Sequence, residues 1–181
     1  MNTLQKLAGG AFVTAVVLGV SMSCSDDSTA PTFAAQAFVA VLAGANERPN
    51  AVTTTAAGRS DVTILDTNLI KVQLFVSTID SVTQSHIHAG DATVAGPVMV
   101  FLLSLVPAGR PNITGTDQLI STVEINRSTP VCVGNGIPTP CFLNPYTLDS
   151  LMFRIKNNVA YTNVHTRKNG GGEIRGQIVP K

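Results

Sequence analysis

The chain has 181 residues, 13% of them charged, and its 12 basic side chains nearly balance 11 acidic ones for a net charge of +1. Lys6 is the only charge before Cys24, so the rest of the chain is neutral overall, and no basic stripe points to nucleic acid. Roughly 145 residues beyond position 36 suit one domain with a core of its own.

In chain order, residues 1–23 read as an export signal. Lys6 precedes an apolar run from Leu7 to Val20, and Ser21-Met22-Ser23 supplies small residues before Cys24. The run is short for a permanent membrane span. A cysteine directly after it resembles a bacterial lipoprotein signal, in which Cys24 would carry the lipid and anchor the chain to a membrane. Ser21 stands where that pattern usually has leucine. Residues 24–36 then form a polar tether, Ser25-Asp26-Asp27-Ser28 leading to Pro31. Ordinary secretion, with cleavage nearby, is the alternative.

The segment 37–181 is patterned for an all-β domain, an antiparallel β-sandwich or barrel with one short helix. Phe38–Leu42 is a short apolar run. Asp61–Leu65 and Leu69–Val76 alternate about the turn Asp66-Thr67-Asn68, which predicts a hairpin. Val82–Ala89 follows, then the continuous apolar run Pro97–Leu103, which fits a strand buried on both faces. Ile120–Ile125 alternates again. Leu148, Leu151, Met152 and Ile155 fall at helical spacing, with Thr147 as cap, Asp149 in the first turn and Asn157-Asn158 as stop, so a helix spans about 147–157. Strands at Ala160–Thr166 and Glu173–Val179 close the chain around Asn169-Gly170-Gly171-Gly172, a turn needing positive φ. Short, frequent strands of this kind indicate a sandwich or barrel.

Three cysteines are odd for an exported chain. With Cys24 lipidated, Cys132 and Cys141 remain as a disulfide across a Gly- and Pro-rich loop, in an oxidising compartment. The basic residues from Arg154 onward, Arg175 among them, read as a solvated face.

The three histidines carry the chemistry. His86 and His88 are two apart in a strand and share a face. His165 lies in the strand before the last. If the two strands are neighbours, His86, His88 and His165, alone or with Glu173, form a first shell for one Zn or Cu ion. Asn163 and Tyr161 share the parity of His165 and would orient the rings. The competing reading makes the histidines a hydrogen-bond network with Glu173, Asn163 or backbone carbonyls. Glu47 pairs with an arginine such as Arg175 in the same view, pinning the first strand to the last.

The succession Leu42-Ala43-Gly44-Ala45-Asn46-Glu47-Arg48-Pro49, Gly58, His86-Ile87-His88-Ala89-Gly90, Gly96-Pro97-Val98, Tyr161–Thr166 and Gly171-Gly172-Glu173-Ile174-Arg175-Gly176-Gln177 resembles a CHRD domain over about residues 37–180. That module is named after chordin and occurs in bacterial exported proteins. The resemblance implies an extracellular antiparallel β domain that binds or scaffolds. In chordin the surrounding protein binds growth factors, and fold analogy does not carry that partner across. The Cys132–Cys141 segment is outside the pattern. His86-Ile87-His88 with Ala95-Gly96-Pro97 is also similar, locally, to the copper-ligand stretch of copper/zinc superoxide dismutases, which use several more histidines and an aspartate.

No Gly-x-Ser-x-Gly, His-Glu-x-x-His, phosphate loop or dinucleotide fingerprint occurs, and no catalytic residue is assigned. The sequence is read as an envelope lipoprotein facing the periplasm or exterior, partnered by an unknown extracellular protein or small ligand. The alternative is a small extracytoplasmic metalloprotein handling Zn or Cu.

Overall fold

A computed structural model describes residues 33–181. The export signal, Cys24 and most of the tether lie outside the described residues.

Among the described residues ten strands follow in order: β1 (Gln36–Ala43), β2 (Ala57–Asp66), β3 (Leu69–Ser77), β4 (Val82–Ala89), β5 (Val98–Leu103), β6 (Gln118–Asn126), β7 (Cys141–Phe142), β8 (Ala160–Thr166), β9 (Ile174–Gln177) and β10 (Val179–Pro180). The helix α1 (Leu148–Lys156) precedes β8, and a 3-10 turn (Gly44–Asn46) follows β1. Neighbouring strands run in the order β6-β3-β2-β1-β9-β8-β4-β5-β7, with β10 also paired to β1. Every pair is antiparallel, and the sheet curls into a nearly closed barrel. Ser121 Oγ of β6 donates to Leu102 O of β5 at 3.0 Å across the seam.

The sequence alternation explains this closure. In β3 every second residue, Ile70, Val72, Leu74 and Val76, is buried, while Leu69, Lys71, Gln73, Phe75 and Ser77 are partly exposed. The buried set joins Val62 and Ile64 of β2, Phe38, Ala40 and Leu42 of β1, and Ile87, Val164 and Ile174 across the barrel in one apolar core. The β2–β3 hairpin turns at residues 67–68, with Asn68 N–H donating to Asp66 Oδ1 at 2.5 Å. The apolar face of α1, Leu148, Leu151, Met152 and Ile155, enters the same core. Its capping box pairs Thr147 and Ser150 reciprocally, and Asp149 opens the first turn as the dipole favours.

The predicted final strand is interrupted. β9 stops at Gln177, Ile178 N–H donates to Ala160 O at 3.0 Å, and β10 then runs along β1 through Phe38 and Val39. Pro180 is tolerated at this position because the neighbouring ladder does not need its missing N–H. Cys132 and Cys141 form the disulfide, with Cα atoms 4.9 Å apart.

Candidate functional site

The site lies on β4, β8 and β9, and strand register builds it. His86 faces Asn163 and His88 faces Tyr161 across β4–β8, and Gln84 faces His165. On the other side of β8, Asn163 faces Arg175 and Tyr161 faces Gln177. Alternation puts His86, His88, Tyr161, Asn163, His165 and Arg175 on one face. The opposite parity, Ile87, Val164 and Ile174, is in the core. The polar face therefore points outward from the barrel, yet it is buried: His86 is 2% exposed, His88 9%, His165 7% and Arg175 2%. Loops cover it.

Each cover segment is held by a named bond. Gly96 O of the 91–97 loop accepts from His88 Nδ1 at 2.9 Å, and its amide donates to Tyr161 Oη at 2.9 Å. Gly170 O of the 167–172 loop accepts from His165 Nδ1 at 2.9 Å. Glu47, after the 3-10 turn, accepts from Asn163 Nδ2 at 2.7 Å. Two glycines make this close covering feasible. A Cβ on Gly96 would sit 1.5 Å from Ala89 O. Gly172 adopts φ 137°, and a Cβ there would lie 2.6 Å from both Asn163 Nδ2 and Glu47 Oε2.

The imidazoles meet inside this cover. His86 Nδ1 and His165 Nε2 are 3.1 Å apart, and their ring centroids are 4.8 Å apart. The His88 ring stacks on Tyr161 at 4.7 Å and 13°, and the Arg175 guanidinium lies over the Tyr161 ring, 3.4 Å from its centroid, as a cation–π partner. His86 makes a T-shaped contact with Phe101 at 4.3 Å. One nitrogen from each histidine lies within 4.8 Å of the others, and among the described residues this is the group able to hold a metal.

Electrostatics keep the rings neutral. Burial pulls all three histidines below the usual imidazole range, and the neighbouring rings push His86 further down. His88 is lowered to about 4, with its bond to Gly96 opposing the shift. Burial raises Glu47 to about 7, against the pull of Arg175 and the Asn163 bond. Burial also lowers Arg175.

Several expectations are corrected by these contacts. Glu47 bonds Asn163, and among the described residues no ion pair joins it to Arg175, whose Nη2 instead donates to Asp91 O at 2.7 Å. Arg175 is thus part of the buried cluster and not of a solvated basic face. Glu173 is not in the ligand group. Its oxygens accept from Thr54, Thr166 and Asn169, and although burial pushes its carboxyl up, these bonds hold it below its ordinary value. The histidines find carbonyls and each other, with no bond to Glu173 or Asn163. Sequence reasoning missed Gly96 and Gly170 as acceptors, Thr54, and Phe101. The pairs Gly90/Gly96 and the run Gly170–Gly172 were the available signal.

Among curated proteins none matches the chain. The family model described as the CHRD domain matches residues 38–178, from the third residue of β1 to Ile178, and so takes in all of the barrel but the start of β1 and β10, with all three histidines. The chain belongs to the CHRD domain family.

Proposed function

We propose that this chain is an extracytoplasmic binding or scaffolding module, tethered to a membrane through lipid on Cys24, whose partner is an exported protein or a small ligand. The observation that carries the reading is the CHRD match over nearly the whole barrel. The apolar run before Cys24 and the Cys132–Cys141 disulfide support an exported location. Among the described residues no helix is long and apolar enough to cross a membrane.

The surface this reading assigns to the partner is an open groove of about 380 Å³ between Glu47–Val52 and the Lys168–Gly172 turn. It combines Arg48, Lys168 and Asn169 with backbone groups, a composition suited to polar recognition. Two measurements test the reading on the full chain in a bacterial host. Mass spectrometry should find an acyl-modified Cys24 in the membrane fraction, and Cys24→Ser should release the protein; an unmodified Cys24 refutes the tether. Photo-crosslinking from position 50 should give a discrete adduct that Lys168→Glu abolishes without altering the melting temperature. An adduct pattern indifferent to that change refutes the groove as the contact.

A further inference from the structure

The three imidazoles are arranged as ligands more than as a closed hydrogen-bond network. His88 Nδ1 and His165 Nδ1 both face carbonyl oxygens, so both carry protons and both Nε2 atoms present lone pairs. His88 Nε2 and His86 Nε2 are buried without a hydrogen-bond partner. His86 itself is 2% exposed. The unpartnered lone pair of His88 Nε2, in the same cluster as the lone pair of His165 Nε2, invites an electrophile. Asn163, which faces His86 across β4–β8, has its Nδ2 already committed to Glu47.

We propose that His86, His88 and His165 bind one zinc or copper ion, through Nδ1 of His86 and Nε2 of His88 and His165. The proton that His86 Nδ1 shares with His165 Nε2 occupies the place the ion takes; on binding it moves to His86 Nε2, leaving the Nδ1 lone pair for the ion. Two imidazole nitrogens on one tetrahedral zinc lie about 3.3 Å apart, close to the 3.1 Å observed for this pair. Since all three donors fall within 4.8 Å, closing the set moves one ring by at most about 1.5 Å. An all-imidazole set without thiolate selects zinc or copper over calcium and magnesium. The carbonyls of Gly96 and Gly170 fix the two Nδ1–H tautomers, and the Tyr161 ring fixes the plane of His88. The inference goes beyond the surface-binding reading and stands without it, since neither the groove nor Cys24 supplies a ligand.

The test uses the full chain, stripped with chelator and titrated with Zn²⁺ alone and Cu²⁺ alone by calorimetry. One ion per chain with sub-micromolar affinity is expected. His165→Gln and His88→Gln should each weaken binding at least about 100-fold. X-ray absorption on the loaded wild type should show three nitrogen scatterers at about 2.0 Å in an imidazole pattern. Failure to take up either ion at micromolar concentration overturns the proposal and leaves a structural network. Uptake that survives the double replacement His88→Gln/His165→Gln, with the fold confirmed by circular dichroism, also overturns it. If that variant does not fold, the absorption spectrum of the wild type decides, and fewer than three imidazoles there refute the site.

Discussion

The two halves of the barrel use the same strand geometry to different ends. In β3 one face is buried and the other is partly exposed, residue by residue. In β8 all seven residues are buried, although Ala160-Tyr161-Thr162-Asn163-Val164-His165-Thr166 is no more apolar than a solvated strand. Both obey period 2. What differs is that loops return over the outer face of β8, β4 and β9 and enclose polar side chains there. The plain half rests on apolar area; the covered half rests on a few specific hydrogen bonds and close backbone approach, and it leaves His86 Nε2, His88 Nε2 and Asn163 Oδ1 without partners. The first tolerates error gradually, and the second is sensitive to single atoms.

Matched substitutions expose this contrast. The largest effect is expected from Gly96→Ala, because its Cβ collides with the Ala89 carbonyl; denaturant unfolding should show a loss of at least about 3 kcal/mol. Gly170→Ala, where a Cβ meets nothing within 4 Å, should stay within about 0.5 kcal/mol. Leu74→Ala in the plain half should cost about 2–5 kcal/mol by the same measurement. If Gly96→Ala proves as mild as Gly170→Ala, the loop does not press on the strand and the comparison fails.

How much of this was legible in the sequence follows the same division. Alternation in Leu69–Val76 gives the plain half directly, together with the hairpin and the face of α1. Parity also places His86, His88, Tyr161, Asn163 and His165 on one side. Parity does not say what covers that side, since the partners come from loops far along the chain. Glu47 meets Asn163 across 116 positions, and Arg175 reaches the Asp91 carbonyl across 84. A charge-matching argument joined Glu47 to Arg175 because opposite charges attract in any medium. In the folded chain the short Asn163 amide reaches the carboxylate, while the guanidinium sits over the Tyr161 ring.

Reduction of the disulfide, or Cys132→Ser with Cys141→Ser, should lower stability by about 2–3 kcal/mol, the loop being short. Glu47 gives a pH signature for the covered half. Its carboxyl is raised from 4.5 to about 7 by burial, with Arg175 drawing it down and Glu173 pushing it up. Folding therefore favours its protonated form, so its contribution is complete below pH 4.5 and is lost as pH rises through 7. Glu47→Gln, which keeps an acceptor for Asn163, should melt like the wild type at pH 4.5 and be more stable at pH 8.5 by up to about 3 kcal/mol. Equal melting curves at both pH values would mean that the carboxyl is hydrated. The smallest effect is expected from Asp149→Asn, which breaks an exposed pair with Arg127 and should leave the melting temperature unchanged within error.

The cover over the imidazole face is assembled from segments near residues 47, 96 and 170, and Arg175 arrives with the last strands of the chain. During synthesis β4 emerges long before β8 and β9 exist to pair with it. The cover over the histidines therefore cannot close until the carboxyl-terminal strands have paired. Any ion held there is chosen by the medium in which the polypeptide finishes folding, and exchange afterwards requires those segments to lift.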